Sequence, residues 1–428
     1  MTHQWIKNYD EHVYTYKTKS GLKVIAIKND QAHTTYAGIG IPFGSCHLNI
    51  DYNNHRIELP FGLAHFYEHK IFASHSGDMF SKFVELGLDP NAMTTYDAMI
   101  YYFSATKDLY KGIDLLLETL DHAYFTDENI LNERQIIQEE INMDLDDTMT
   151  VLYQKLYENL FHVHPIKHDI LGTSESIKKI HKELLLDVHQ ALNNDQLRTL
   201  VISGNIEIST LEQYLTSLDE KRHYKQLQTS MKIKEDKMDV IKSFDLIDMD
   251  ISIPRVLFGI KFPDFTSEID YHKMQFSMYI ALHALMGDSS FLHEKWIDNG
   301  YINQSIQFHM THVAGANHLT IHIQTHAYET MSQELQNAIK KDVSTYLNKK
   351  IFLRIKKLMI ASNILSLDQH ESKMFNTLRM SLKGISIYDV MDAMNTVTFE
   401  DVVYFANMLK NLSYSILIAK PTKLAEFN

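Results

Sequence analysis

The run Gly62-Leu63-Ala64-His65-Phe66-Tyr67-Glu68-His69-Lys70-Ile71-Phe72 gathers several metal-competent side chains at a spacing with a mechanism. On a helix, His65 and His69 are i and i+4, so both imidazoles project from one face, and Glu68 at i+3 from His65 lies on the same face. Two neutral imidazoles and one carboxylate hold zinc with its fourth position open to water. The rest of the chain must therefore supply a carboxylate. The competing reading is a solvated helix whose i and i+4 residues happen to be histidines. Leu63, Phe66, Ile71 and Phe72 oppose it, because they give the helix an apolar side that belongs in a core.

A third ligand should come from another helix. After Thr126-Asp127-Glu128, a plausible cap, residues Ile130 to Met143 read as helical. Within them Glu133 and Glu140 are i and i+7, nearly in line, whereas Glu139 points about 100° away from Glu140. The in-line pair is the better candidate, with Glu140 on the metal and Glu133 behind it, orienting a ligand. Taken without the histidines, these acids would read as a solvated helix face. Two other groups invite chemistry and are given structural roles. His162, His164 and His168 are irregularly spaced around Pro165, as in a loop. Cys46, beside His47, has no motif around it and reads as a structural residue at a strand end.

The elements that must position these residues follow from periodicity. Tyr14 to Thr18, Leu22 to Lys28 and Thr34 to Pro42 read as strands. Asp51 to Leu59 reads as a polar loop leading to the His65 helix. Gly77 to Gly87 is helical, Asn91 to Tyr96 and Met99 to Ala105 form a strand pair about Asp97, and Leu109 to His122 is an amphipathic helix. Ile180 to Ala191 is helical and Leu197 to Ile202 is a strand. Residues 219–239 shift to Lys, Glu, Gln and Ser and mark a linker between a domain at 1–218 and another at 240–428.

Beyond the linker the pattern repeats. Strand His318 to Thr325 and helix Glu329 to Leu347 resemble Met99 to Ala105 and Leu109 to His122. Ile351 to Leu367 takes the place of Ile130 to Met143, and Phe399 to Leu409 with Tyr414 to Ala419 matches Leu184 to Ala191 with Leu197 to Ile202. The offset holds at roughly 215 to 221 residues, the sign of an internal duplication. The same shift carries His65 and His69 onto Leu285 to Ser289, where no ligand triad exists. The second half keeps the architecture and lacks the metal chemistry.

A chain of 428 residues exceeds one ordinary core. A formal charge of −13 disfavours nucleic acid and anionic membrane as partners. Neither a signal peptide nor a membrane helix is expected. With one cysteine no intrachain disulfide can form, so the expected compartment is the cytoplasm.

Together these residues resemble the pitrilysin/insulinase family of inverted-zinc peptidases. The resemblance rests on His65-x-x-Glu68-His69, the lead-in Gly62-Leu63-Ala64, and Glu133-Arg134 with Glu140 seven positions after Glu133. Asn91-Ala92-Met93-Thr94-Thr95 with Tyr101-Tyr102-Phe103 adds the family's active-site edge strand. It covers essentially the whole chain. Lys70 and Phe72 make the motif look like that of bacterial two-domain members paired with a zinc-less homologue.

The resemblance implies an α+β fold of two homologous α/β domains in a clamshell, each an antiparallel-rich sheet covered by helices. It implies Zn2+ on His65, His69 and Glu140, which acidifies water for attack on a peptide bond. Glu68 would be the catalytic base, Glu133 would support the catalytic site, and Asn91 and Ala92 would hold a peptide substrate as an added strand.

One departure stands out. Family members that are active carry an Arg and a Tyr seven residues apart in the second half, where this chain has Trp296 and Asn303; a shifted alignment recovers Tyr301 but puts Glu294 in place of the Arg. The expected partner is therefore a homologous zinc-less subunit in a heterodimer that supplies the missing side chains, or else self-association. Competing readings are a catalytically weak or inactive scaffold of a peptide-processing complex and a zinc-dependent peptide-binding module.

Overall fold

A computed structural model describes residues 1–74, 77–225 and 227–422. Strand Thr199–Gly204 is buried at every position, as a strand covered on both faces must be. It pairs parallel with Lys23–Lys28 and antiparallel with Thr35–Ile41. Around it lies a seven-stranded sheet in the order Thr2–Ile6, Glu11–Lys17, Lys23–Lys28, Thr199–Gly204, Thr35–Ile41, Met99–Ala105, Asp89–Thr94. A second, five-stranded sheet runs Phe244–Met249, Tyr414–Pro421, Arg255–Lys261, His318–Gln324, Gln307–Thr311, and its first pair is parallel, like Lys23–Lys28 with Thr199–Gly204. Without the two N-terminal strands, the two sheets have the same order and the same senses. The internal repeat is therefore a repeat of topology.

The chain forms two compact units, each built from separated segments. The first comprises Met1–Asn142, Asp169–Lys232 and Ile364–Tyr388, and the second Met143–His168, Ile233–Asn363 and Asp389–Asn428. Each sheet packs a helix drawn from the other half of the sequence. In the first unit, helix His370–Leu382 lies on Thr35–Ile41, where a Cβ added at Gly40 would sit 2.0 Å from Leu378 Cδ2. In the second, helix Thr148–Leu160 lies on Arg255–Lys261, where a Cβ at Gly259 would sit 2.7 Å from Leu160 Cδ1. Each glycine lies on the strand its helix covers and lets that helix approach the backbone closely.

One expectation is corrected. Asp51 to Leu59 is not a loop: Asn49–Tyr52 and His55–Glu58 form a hairpin. Its turn residues Asn53 and Asn54 have φ of 46° and 65°, the left-handed pair that a tight two-residue hairpin requires and asparagine tolerates. Strand Thr229–Met231, inside the stretch read as a linker, adds to this hairpin. In the second unit Asp236 accepts from the backbone N–H groups of His162 and Val163 and pairs with Lys261 at 2.9 Å.

His164 is fully buried, accepts from Ile166 N–H and bonds the Ala314 carbonyl, so it holds a loop. Cys46 is buried, and burial pushes its thiol up, away from thiolate chemistry. No helix among the described residues is long and apolar enough to cross a membrane.

Candidate metal centre

Helix Leu63–Ile71 starts at Gly62, whose φ of 83° is left-handed. A Cβ there would lie 2.3 Å from the Leu171 carbonyl oxygen, so only glycine lets the helix begin against this backbone. Leu63, Ala64, Phe66, Tyr67 and Ile71 are buried, which turns His65 and His69 toward the opposite side. Helix Asp127–Asp146 is seated by Ile130, Ile137 and Ile141. That stripe sets the Glu133 and Glu140 face against the histidines.

The geometry brings His65, His69 and Glu140 together, with one donor atom of each within 4.8 Å of the others. His65 Nε2 is 3.8 Å and His69 Nε2 4.0 Å from Glu140 Oε2. These spacings are too long for direct hydrogen bonds and leave room for a cation between the donors. Glu133 sits behind them: its Oε1 is 2.9 Å from His69 Nδ1 and its Oε2 is 2.9 Å from Lys70 Nζ. A proton on Nδ1 leaves the Nε2 lone pair free toward Glu140, the tautomer a metal-ligating histidine needs. Two imidazoles and a carboxylate form a donor set suited to zinc, and the arrangement fits that ion.

Electrostatics separate the roles. Burial, with help from His69, pushes His65 down to about 3, so it is neutral at pH 7 with a lone pair to donate. Burial raises the Glu68 carboxyl, while His69 and a 2.9 Å hydrogen bond from Thr94 Oγ1 pull the other way. Burial would raise Glu133 too, but the bonds to His69 and Lys70 outweigh it and hold that carboxyl below its ordinary value. Glu68 is thus a buried carboxylate with raised proton affinity beside the donor set, as a general base requires. A cavity of about 470 Å³ opens beside Glu68 and His69, with Phe72, Phe80 and Tyr124 as aromatic lining and Lys70, Asn129 and Glu133 as polar lining.

Asn91 and Ala92 lie on Asp89–Thr94, the edge of the seven-stranded sheet. Thr95 N–H donates to the Ala98 carbonyl at the turn, and Ala92 faces Tyr101 in the register. Antiparallel alternation then points the backbone groups of Ala92 and Thr94 outward, away from the sheet. In this structure the Ala92 N–H donates to Asn91 Oδ1 at 2.8 Å. The Glu68 partner Thr94 and the Glu133 partner Lys70 were not assigned from the sequence. No motif distinguishes Thr94 from Thr95, and Lys70 reads as an ordinary helical cation. In the second unit Trp296 is fully buried with Nε1 donating to Glu334 at 2.8 Å, and Asn303 is exposed.

A duplicated sheet topology and an H-x-x-E-H helix facing a glutamate helix define a class of proteins, and comparison with known proteins gives it a name. The sequence profile of the family described as Insulinase (Peptidase family M16) matches residues 23–174. A Bacillus subtilis (strain 168) protein named as an uncharacterized zinc protease, YmfH, is 29% identical over 401 residues, spanning 92% of this chain and 92% of its own length. An M16-like peptidase from Alicyclobacillus acidocaldarius superposes with a TM-score of 0.90 at 24% identity, covering 96% of this chain and 99% of that one. A Pseudomonas fluorescens structure described as a peptidase M16 inactive domain superposes with a TM-score of 0.77 at 17% identity, covering 96% and 98%. Residues 23–174 are matched to the insulinase family of peptidases, family M16, and the fold of the whole chain is that of the M16-like structures.

Proposed function

We propose that the chain is a zinc endopeptidase that cuts peptides or unfolded segments, with Zn2+ on His65, His69 and Glu140, and that a homologous zinc-less subunit completes its site. The observation that carries this reading is the convergence of those three donors beside the buried Glu68 carboxylate. The zinc-protease name of the Bacillus subtilis relative supports it. The proposed division of labour puts the metal in residues 1–218 and leaves residues 240–428 as a domain without ligands. The single cysteine suits the cytoplasm as its compartment.

Zinc, when bound, supplies Lewis acidity that makes water nucleophilic at neutral pH. Glu68 accepts the proton of the attacking water and passes it to the leaving amine. Thr94 holds the Glu68 carboxylate from the other side. Glu133 keeps the proton of His69 on Nδ1. The substrate adds as a strand along Asp89–Thr94 and pairs with the outward backbone of Ala92 once Asn91 releases its N–H. Selection then falls largely on backbone shape.

Substituting Glu68→Gln tests this. The variant should keep one zinc per chain and lose cleavage by about 10²- to 10⁴-fold. Turnover unchanged by the substitution would remove this site as the seat of cleavage. A scaffold that has kept the fold without turnover is the second reading, favoured by Trp296 and Asn303 where an Arg and a Tyr are expected. It predicts no cleavage by the wild-type chain, with or without a homologous subunit.

A further inference from the structure

The zinc ligands and Glu68 leave one charged side chain of the same helix without a role. Lys70 is 8% exposed in its side chain, on the packed side of Leu63–Ile71. A buried ammonium is costly unless it is paired, so its partner tells what it does. That partner is Glu133 Oε2, at 2.9 Å, while Glu133 Oε1 is 2.9 Å from His69 Nδ1. The carboxylate is thereby held at both ends. A terminal carboxylate torsion is ordinarily broad, and a second hydrogen bond on the far oxygen removes that freedom. Lys70 also sets one positive charge among Glu68, Glu133 and Glu140, whose carboxylates act on one another here.

We propose that Lys70 is a positioning residue of the metal centre: acting through Glu133, it fixes the orientation and tautomer of His69 so that Nε2 faces Glu140 with its lone pair free. The inference rests on the zinc reading above. It follows from the division of the Glu133 oxygens between a ligand and a cation, which the ligand motif does not encode. A helix with an uncharged residue at position 70 could place the same three ligands, but Glu133 would be free to rotate away from His69.

The full chain is prepared as wild type, Lys70→Met, Lys70→Arg, Glu133→Gln, Lys70→Met/Glu133→Gln and Lys70→Arg/Glu133→Gln. Zinc affinity is read by competition with a chelator, and the geometry of the site by the visible spectrum of the cobalt-substituted protein. Lys70→Met should weaken zinc about tenfold and alter the cobalt spectrum, Lys70→Arg should restore part of that affinity, and Lys70→Met/Glu133→Gln should bind no worse than Glu133→Gln alone. A folded Lys70→Met chain with wild-type affinity and spectrum overturns the proposal, as do losses that add in that double variant. Should Lys70→Met fail to fold, Lys70→Arg carries the same test. It must change zinc affinity in the wild-type background and leave it unchanged beside Glu133→Gln; equal effects in both overturn the proposal. A wild-type chain that binds no zinc overturns the zinc reading and this inference together, whereas normal zinc binding by every Lys70 variant removes only the role of Lys70.

Discussion

The five strands common to the two sheets share order and senses, yet the first unit carries three converging side chains that could hold a metal and the second carries no such group among the described residues. Where the first has His65 to His69 on a helix started by Gly62, the second has Leu285 and Met286 buried at the end of Glu268–Met286. Both sheets keep the same strand order and senses, which sets no condition on the few side chains that could hold a metal. The fold can therefore be copied while the chemistry is lost. The Pseudomonas fluorescens structure named as an inactive domain shares the fold as well, so topology alone says nothing about turnover.

This comparison can be broken most decisively at Glu68. If the first repeat alone holds the chemistry, Glu68→Gln should cost about 10²- to 10⁴-fold in peptide cleavage while zinc content, measured by mass spectrometry of the metal, stays at one per chain. The equivalence of the two scaffolds is sharpened by a matched pair, Gly40→Ala and Gly259→Ala. Both should lower stability to denaturant, Gly40→Ala by about 2–3 kcal/mol and Gly259→Ala by about 1–2 kcal/mol, because the helix lies closer over Gly40. A reversed order would mean that the two helix seats are not alike.

The first unit also holds an ionic cluster of two aspartates and two arginines. Asp121 bonds both Arg198 and Arg222, and Asp195 joins the same guanidinium groups. Burial would raise the Asp121 carboxyl, but Arg222 and Arg198 outweigh it and hold it at about 2. A carboxyl depressed in the folded state stabilises fully above its unfolded value near 3.8 and loses that stabilisation as pH falls through about 2. A fall of about 2 kcal/mol between pH 5 and pH 2 is expected from this group, and Asp121→Asn should flatten it in acid-denaturation curves.

The smallest effect concerns the edge strand. Asn91→Ala frees the Ala92 N–H, so amide exchange at Ala92 should quicken, and KM for a peptide should fall about threefold because no internal hydrogen bond must be displaced. A rise in KM would instead make the Asn91 side chain a substrate contact.

Most strands and helices were legible because burial imposes a period. The strand read at Leu197 to Ile202 is found at Thr199–Gly204, and the amphipathic helix read at Leu109 to His122 is found at Leu109–Asp121. The hairpin at Asn49–Glu58 was not legible, since its signal is a pair of left-handed asparagines within a polar stretch. Nor was the crossing of helices between halves. Nothing in Thr148–Leu160 or His370–Leu382 says which sheet will receive it, because an apolar face fits any glycine-cleared strand of the right width.

By itself the sequence put forward His65, His69 and Glu140 as candidate donors, because i, i+4 and i+7 spacings are properties of one helix at a time. It also showed that the repeat of His65 to His69 is empty of ligands, by simple offset. Only the tertiary structure decided which oxygen of Glu133 meets His69 and which meets Lys70, that Thr94 rather than Thr95 holds Glu68, and that Asn91 covers the Ala92 N–H. The Glu133 and Glu68 contacts depend on the packing of segments far apart in the chain, the Asn91 contact on the local backbone, and all of them on separations of a few ångströms that no periodicity encodes.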